Sequence, residues 1–197
     1  PYCDFATEAR DSLPHDAYAG AVLRELAARA PDFRGRCLRS VYCGGGTPGL
    51  WRSDRVVAVV AAVVAELPPE GAIEVTLEAN PGDLTKAHLE ELRAGGVNRL
   101  SLGIQSLCDR ELMLLGRRCD RAGALAAIGT AREAGFDNLS CDLMFALPGQ
   151  TLGGWRATLE ELCGLGPEHL SVYNLTIEEG TPFGERLRRG ALHLPDQ

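Results

Sequence analysis

The chain has 197 residues, 45% of them hydrophobic and 24% charged, with a formal net charge of −7 and a pI near 5.1. This length allows a sizeable core, and the ordinary composition excludes a disordered or membrane-dominated class. The acidic balance argues against nucleic-acid binding, which needs a positive stripe. The longest apolar run, 56–65, is shorter than the ~20 residues that cross a bilayer, so no transmembrane segment is predicted.

The predicted elements alternate between helices and strands along the chain. Strands are predicted at 38–43, 73–79, 98–104, 138–145 and 169–175. Helices are predicted at 15–30, 53–67, 85–93, 110–115, 121–134 and 151–165, with a short one after Pro182; Ser53 and Thr85 are candidate caps. Five strand–helix units in alternation predict a parallel sheet with crossover helices.

Polar and glycine-rich positions fall at or just after the predicted strand ends. They are the run Gly44-Gly45-Gly46-Thr47-Pro48, the segment 78–81, Gln105-Ser106, Asp142 and Thr176. In β/α barrels this end of the strands carries the active site. The glycine run is not a P-loop, because no Gly-Lys-Ser/Thr follows it, and taken alone it is more often a plain turn.

Two carboxylates and one arginine are candidate site residues on chemical grounds. Asp142 interrupts an apolar strand, where a carboxylate is costly to bury unless it is paired or hydrogen-bonded. Arg117 is its candidate partner, or simply a surface arginine. Glu78, at a strand end, can accept hydrogen bonds from ribose hydroxyls, although an isolated glutamate is usually just solvated.

The seven cysteines are odd in number, and no two have the C-x-x-C spacing. In a chain of this size they predict reduced thiols, and hence a cytoplasmic protein, rather than a disulfide framework. The four histidines show no metal-ligand spacing, which argues against a zinc site.

Seven motifs identify a family resemblance when they are taken together. In chain order they are Tyr2-Cys3-Asp4-Phe5, Gly44 to Pro48, Glu78-Ala79-Asn80-Pro81, Asn98 to Ser106, Leu115-Gly116-Arg117, Asp142-Leu143-Met144 with Leu147-Pro148-Gly149-Gln150, and Leu170 to Tyr173 with Leu175 to Glu178. The set resembles the radical S-adenosylmethionine proteins of the coproporphyrinogen III oxidase-like group. It looks closest to the heme chaperone branch, because Phe5 stands where the oxidase branch usually has a further cysteine.

The resemblance implies an α/β fold, a partial (three-quarter) TIM-like β/α barrel of the radical SAM type with its first strand missing. Residues 1–197 would form one radical SAM core domain that is incomplete at both ends. Cys3 matches the third cysteine of the family's C-x-x-x-C-x-x-C loop and would bind one iron of a [4Fe–4S] cluster. The amino and carboxylate groups of S-adenosylmethionine would chelate the unique fourth iron.

The resemblance also implies roles for the strand-end residues. Gly45, Gly46 and Thr47 would receive the methionine end of S-adenosylmethionine, and Glu78 would hold a polar part of it, such as the ribose. The positions that contact S-adenosylmethionine in the oxidase, including a second molecule there, are matched by Gln105, Arg117 and Asp142. Weaker contact positions are matched by Tyr2 and by Thr176, which departs from the small apolar residue of the oxidase.

The implied function is that of a heme chaperone, with heme or porphyrin as ligand and heme-acceptor proteins as partners. The alternative is an oxygen-independent coproporphyrinogen III oxidase, which decarboxylates propionates oxidatively by means of a 5′-deoxyadenosyl radical. The resemblance therefore leaves enzymatic activity open. A plain nucleotide- or phosphate-binding α/β module is a third possibility, and it rests only on the glycine run and the strand-end carboxylates.

Overall fold

A computed structural model describes residues 1–5 and 11–195. The strands of this part are β1 Leu38–Cys43, β2 Pro69–Ala79, β3 Arg99–Gln105, β4 Leu139–Phe145 and β5 His169–Asn174. Its α-helices are α1 His15–Arg29, α2 Ser53–Glu66, α3 Lys86–Ala94, α4 Asp109–Leu114, α5 Arg121–Glu133, α6 Leu152–Gly164 and α7 Pro182–Arg188, with short 3-10 helices at Ala30–Phe33 and Pro48–Leu50. None of these helices has the length and apolar character needed to cross a membrane.

The five strands form one parallel sheet whose spatial order follows the chain, β1-β2-β3-β4-β5. A helix joins each strand to the next and returns the chain to the end of the sheet where the strands begin. All five strands therefore run in the same direction, and their carboxyl ends lie on one side. The predicted α/β class and the partial β/α barrel are confirmed. The carboxyl ends of β2, β3 and β4 bring together the segments that carry Glu78, Gln105 and Asp142.

Side-chain alternation divides the sheet into an apolar face and a polar face. The apolar face packs against the helices; its buried members are Val75, Leu77, Ala79, Leu100, Leu102, Ile104, Leu139, Cys141 and Leu143. The opposite face, which we call the inner face, carries Thr76, Glu78, Ser101, Ser140, Asp142 and Ser171. The hydrophobic effect therefore fixes the register of each strand and, through it, which residues reach the inner face.

A second apolar cluster lies beyond the strand ends. It contains Leu115, Met144, Leu147, Leu175, Phe183 and Leu192, with Tyr2 packed against it. The Phe183 amide donates to the Pro1 carbonyl at 3.0 Å, and the rings of Tyr2 and Phe183 have centroids 6.3 Å apart. The segment that carries Cys3 is thus attached to α7.

Two local features differ from the prediction. Ser53 is the first residue of α2 rather than its cap, because its hydroxyl donates to Glu91 on α3 instead of accepting a helix amide. Strand β2 begins at Pro69, four residues before the predicted start, and pairs there with β1 across a register shift. Thr85 caps α3 as predicted, since its side chain accepts from the His88 amide at 3.3 Å.

Candidate functional site

The glycine run and Glu78 meet where β1 and β2 end. The Gly45 amide donates to one carboxylate oxygen of Glu78 at 3.0 Å, and the Tyr42 hydroxyl donates to the other at 2.5 Å. A Cβ on Gly44 would lie 3.0 Å from the Glu78 carboxyl, and Gly45 has φ +120°, so both positions require glycine. Gly46 is exposed and Thr47 is half-buried in the same turn. The turn therefore fixes the Glu78 carboxylate in one orientation.

Tyr42 is a site residue that the sequence reading missed. Its pKa lies above its usual range because of partial burial, its hydrogen bond to Glu78 and the negative charge of that carboxylate. The phenol therefore stays protonated and donates to Glu78 at neutral pH. Tyr42 pairs with Thr76 of β2, and alternation along β2 places Thr76 and Glu78 on the same face. The period-2 pattern of these two strands was therefore the available signal.

Arg117 joins the ends of β2 and β3. Its Nη2 donates to the side-chain oxygen of Asn80 at 2.5 Å and to the Gly103 carbonyl at 2.6 Å. The Asn80 amide in turn donates to Asp83 at 2.9 Å, which turns the Asn80 oxygen toward the arginine. The suggested pairing of Arg117 with Asp142 is wrong, because neutral oxygens between β2 and β3 hold this guanidinium, whereas Asp142 lies on β4.

Gly103 leaves room for these polar groups on the inner face. A Cβ at this position would lie 3.0 Å from the Gln105 side-chain nitrogen, 3.1 Å from the Asn80 oxygen and 3.2 Å from Arg117 Nη2. Any larger residue would displace at least one of the three. Glycine at 103 is therefore a packing requirement of the site.

Gln105 has a strained backbone. Its φ is +67°, and the Ser106 amide donates to the Ile104 carbonyl across it at 2.9 Å, which closes a γ-turn at the end of β3. The pairing of β3 with β4 shifts register between Leu102 and Gln105. An L-residue in this region costs roughly 1–3 kcal/mol, and such strain is concentrated at functional sites.

Asp142 lies half-buried on the inner face of β4. Its carboxylate accepts from the Ser101 hydroxyl at 3.1 and 3.2 Å. Burial raises the pKa of Asp142 above its usual value, while hydrogen bonds from Ser171 and Ser101 oppose that rise and the charge of Glu78 adds to it. Glu78 and Asp142 thus affect each other electrostatically across the inner face.

Small hydroxyl side chains cover the inner face beside Asp142. Ser101 and Ser140 are buried, and the Ser140 oxygen lies 2.9 Å from the Nδ1 of His169 and 3.4 Å from the Ser171 oxygen. Each hydroxyl finds a partner within the sheet, so the polar groups are satisfied without a large side chain.

Asp142→Asn should raise the free energy of unfolding at pH 7. A carboxyl whose pKa is raised on folding binds its proton more tightly in the folded state, so stability falls as pH rises from the unfolded value near 3.8. The amide has no charge to desolvate and removes this fall. Urea unfolding of Asp142→Asn and of the wild type from pH 4 to pH 8 measures this difference. Asp11→Asn is the control, because Asp11 is exposed. If stability falls with pH in Asp142→Asn as it does in the wild type, burial of the Asp142 charge does not cause the fall.

The remaining predicted residues occupy different environments. Tyr2 is half-buried, and burial raises its pKa while the positive charge of Arg117 opposes the rise. Cys3 is exposed next to it. Thr176 is exposed two residues beyond β5 and lies apart from the hydrogen bonds described above. Among the described residues there is no group of three His, Cys, Asp or Glu side chains able to hold a metal ion.

A cleft of about 240 Å³ opens between the end of β2 and the segment after α4. It is lined by Thr47, Leu50, Asn80, Pro81, Asp83, Gly116, Arg117, Arg118 and Cys119. The sequence reading missed Asp83 and Arg118, although Asn80-Pro81 lay within a recognised motif. The cleft combines cations, a carboxylate and hydrogen-bonding groups beside the glycine turn.

These residues fit S-adenosylmethionine, which carries a carboxylate, an ammonium group and ribose hydroxyls. The turn at Gly45 and Gly46 exposes backbone to a ligand, Glu78 offers a fixed acceptor and Arg117 a fixed cation. For an iron–sulfur cluster, the fitting group in the described part is the exposed thiol of Cys3, one ligand of the three or four that a cluster takes.

Known proteins show the same sequence pattern and fold. The pattern of the radical SAM superfamily matches residues 1–162. The heme chaperone HemW of Lactococcus lactis is 35% identical over 196 residues, which are all of this chain and 51% of that protein. The radical S-adenosyl methionine domain-containing protein 1, mitochondrial, of Bos taurus is 43% identical over 201 residues, covering 99% of this chain and 44% of that protein.

Among solved structures, the radical SAM enzyme coproporphyrinogen III oxidase (HemN) of Escherichia coli superimposes with a TM-score of 0.83 at 29% identity, covering 98% of this chain and 45% of that one. The chain spans about half the length of the curated relatives it matches. The matched region includes β1 to β4 and every strand-end residue of the site except Thr176. The chain therefore belongs to the radical SAM superfamily, whose members use a [4Fe–4S] cluster and S-adenosylmethionine, the two cofactors predicted from the sequence.

Proposed function

We propose that this chain is the radical SAM core of a heme chaperone, a protein that binds heme and transfers it to acceptor proteins. The observation that carries the proposal is the similarity along the whole chain to relatives named heme chaperone HemW, at 35% identity in Lactococcus lactis and 36% in Bacillus subtilis. Phe5 supports it, because an exposed apolar side chain stands where the oxidase branch usually has a cysteine. In this proposal residues 1–197 form one domain. Strand β5 and helix α7 follow the region 1–162 that matches the family, but β5 completes the same sheet and α7 contributes to the second apolar cluster.

The strand-end residues divide the binding of S-adenosylmethionine among them. Gly45, Gly46 and Thr47 receive the methionine end. Glu78 accepts hydrogen bonds from the ribose, and the bonds from Tyr42 and Gly45 fix the orientation of the Glu78 carboxylate. Gln105, Arg117 and Asp142 contact a further part of this cofactor or a second molecule of it. Tyr2 and Thr176 complete the contacts at the edges of the site.

Cys3 ligates one iron of the [4Fe–4S] cluster. Reduced cluster, when bound with S-adenosylmethionine, supplies the electron for reductive cleavage of that cofactor. The chain's own contribution is to present an exposed thiol on a segment attached to α7. All seven cysteines are free thiols, which supports a reducing compartment such as the cytoplasm; the mitochondrial relatives offer the alternative compartment.

A coproporphyrinogen III oxidase activity is the second candidate function. The HemN structure favours it, with a TM-score of 0.83 and 29% identity over 98% of this chain. The Glu78, Gln105, Arg117 and Asp142 positions suit both functions, so the core alone does not separate them.

One pair of measurements separates the two functions. The intact protein, reconstituted without oxygen, is incubated with S-adenosylmethionine, reductant and coproporphyrinogen III, and is separately titrated with heme. The heme chaperone proposal expects saturable heme binding and no divinyl product, while S-adenosylmethionine is still cleaved to 5′-deoxyadenosine. Divinyl product would establish the oxidase, and the absence of heme binding would overturn the chaperone. Glu78→Gln is the matched variant, expected to weaken cofactor cleavage while the fold is retained.

A further inference from the structure

A buried glutamate on α4 connects two loops of the site, and the proposed function does not use it. Glu111 is 4% exposed, and one of its carboxylate oxygens accepts from the Ser106 hydroxyl at 2.6 Å and from the Gln150 side-chain nitrogen at 3.0 Å. Burying a carboxylate is costly unless donors satisfy it. Both donors come from loops that follow strands, β3 for Ser106 and β4 for Gln150.

The first loop holds the strained turn at Gln105. The Ser106 oxygen that donates to Glu111 also accepts from the Cys108 amide at 2.9 Å, and the Ser106 amide closes the γ-turn onto Ile104. Ser106 is 1% exposed, so water does not replace these bonds. Strained backbone persists only where its surroundings over-determine it, and Glu111 is the charged acceptor in those surroundings.

The second loop is held by the same short helix. The Gln150 side-chain oxygen also accepts from the Leu147 backbone amide at 3.4 Å, and the Gln150 backbone amide donates to the Leu147 carbonyl at 2.9 Å. Arg110, the neighbour of Glu111, donates to the Gly149 carbonyl at 2.5 Å. Two consecutive residues of α4 therefore hold the turn that leaves β4, the strand that carries Asp142.

Helix α4 also lies between two candidate binding residues in the chain. Gln105 precedes it, and Arg117 follows its last residue by three positions. The orientation of α4 consequently sets the separation between the Gln105 turn and the Arg117 guanidinium. Bonds that fix α4 against both loops fix that separation as well.

We propose that Glu111 is a positioning residue, which locks the β3–α4 loop, helix α4 and the β4–α6 loop into one rigid unit and so preorganises Gln105, Arg117 and Asp142 for S-adenosylmethionine. The assignment of those three residues to the cofactor rests on the proposed function, whereas the locking itself does not. A preorganised site loses less conformational freedom on binding and gains affinity for that reason.

The test compares three variants of the intact protein by hydrogen–deuterium exchange without ligand. Glu111→Leu removes the acceptor and leaves both donors unsatisfied, while Glu111→Gln keeps an oxygen in place. Asp109→Asn is the matched control on the same helix, because Asp109 accepts only from the Arg121 amide among the described residues. Glu111→Leu should raise exchange about tenfold at 104–108 and at 146–151 together, with Glu111→Gln and Asp109→Asn close to wild type.

A second measurement separates this proposal from the proposed function. S-adenosylmethionine affinity, measured by calorimetry, should fall about tenfold in Glu111→Leu and recover in Glu111→Gln. Raised exchange in both loops with unchanged affinity would keep the locked unit and overturn the cofactor assignment of Gln105, Arg117 and Asp142. A rise in exchange in Glu111→Leu that is confined to one loop, or is spread evenly over the sheet, would overturn the proposal that Glu111 locks the two loops and α4 together. If Glu111→Leu does not fold, Ser106→Ala tests the first loop, where the same local rise in exchange is expected.

Discussion

Replacing Phe183 with alanine should lower the free energy of unfolding by about 3–5 kcal/mol. The side chain is fully buried in the second apolar cluster and packs against Tyr2, while its backbone amide holds Pro1. Truncation leaves a cavity under the segment that carries Cys3. We therefore also expect fewer iron and sulfide atoms per chain after anaerobic reconstitution of the intact protein, because the Cys3 thiol is held less firmly.

Phe33→Ala is the matched control, since Phe33 is 40% exposed in the turn after α1 and lies outside both apolar clusters. Phe33→Ala should lower the free energy of unfolding by less than about 1 kcal/mol and leave the iron content unchanged. Urea unfolding measures the first quantity and elemental analysis the second. A Phe183→Ala protein with wild-type stability would mean that the attachment of the first segment to α7 contributes little.

Replacing Arg117 with alanine should lower the free energy of unfolding by about 2–4 kcal/mol, since two charge-assisted hydrogen bonds disappear and the Gly103 carbonyl loses its donor. Affinity for S-adenosylmethionine should fall as well, because the site loses its fixed cation. Arg117→Lys should recover only part of both losses, since a lysine side chain ends one bond short of the Nη2 position that donates to Asn80 and to the Gly103 carbonyl.

Arg118→Ala is the control for charge alone, because Arg118 is exposed and lines the same cleft. Its effect on stability should remain within about 0.5 kcal/mol. Urea unfolding and calorimetric titration with S-adenosylmethionine give both quantities. Equal losses from Arg117→Ala and Arg118→Ala would show that the cleft responds to net charge rather than to the bonds to Asn80 and Gly103.

The sheet was predictable because its signal is local and repeated. The alternation from Ile73 to Ala79 follows from one apolar face and one polar face, and the structure places Leu77 in the core and Glu78 opposite it. Parallel strands in chain order then follow from the helices between them. The polar residues at the carboxyl ends of the strands were predictable too, because they are also a local and repeated feature of the sequence.

The bonds within the site were not predictable, because they join residues far apart in sequence. Arg117 was interpreted as a partner of Asp142 or as a surface arginine, because charge does not reveal that the Gly103 carbonyl holds its guanidinium. Glu111 carries no sequence signal, since a glutamate on a short helix usually faces solvent, and its burial depends on Gln150, 39 positions away. Ser53 failed as a cap for a similar reason, because Glu91 on another helix engages its hydroxyl.

Gln105 shows a third limit of sequence reasoning. Glycine, asparagine and aspartate signal a left-handed turn, whereas glutamine does not. Its φ of +67° is imposed by the register shift between β3 and β4 and by the bonds around Ser106. Tertiary contacts thus override the local preference at one of the positions where a ligand is expected.

The serines of the inner face have a consequence for mutational tolerance. Ser101 is 4% exposed and Ser140 is fully buried, so a leucine or phenylalanine at either position has no open space to enter. The helices pack on the other face, so the crowding falls on Asp142 and His169, the bonded neighbours of these two serines, rather than on the main core. A lineage, or a designer, that enlarges either side chain therefore disturbs the candidate site before it disturbs the packing of sheet on helices.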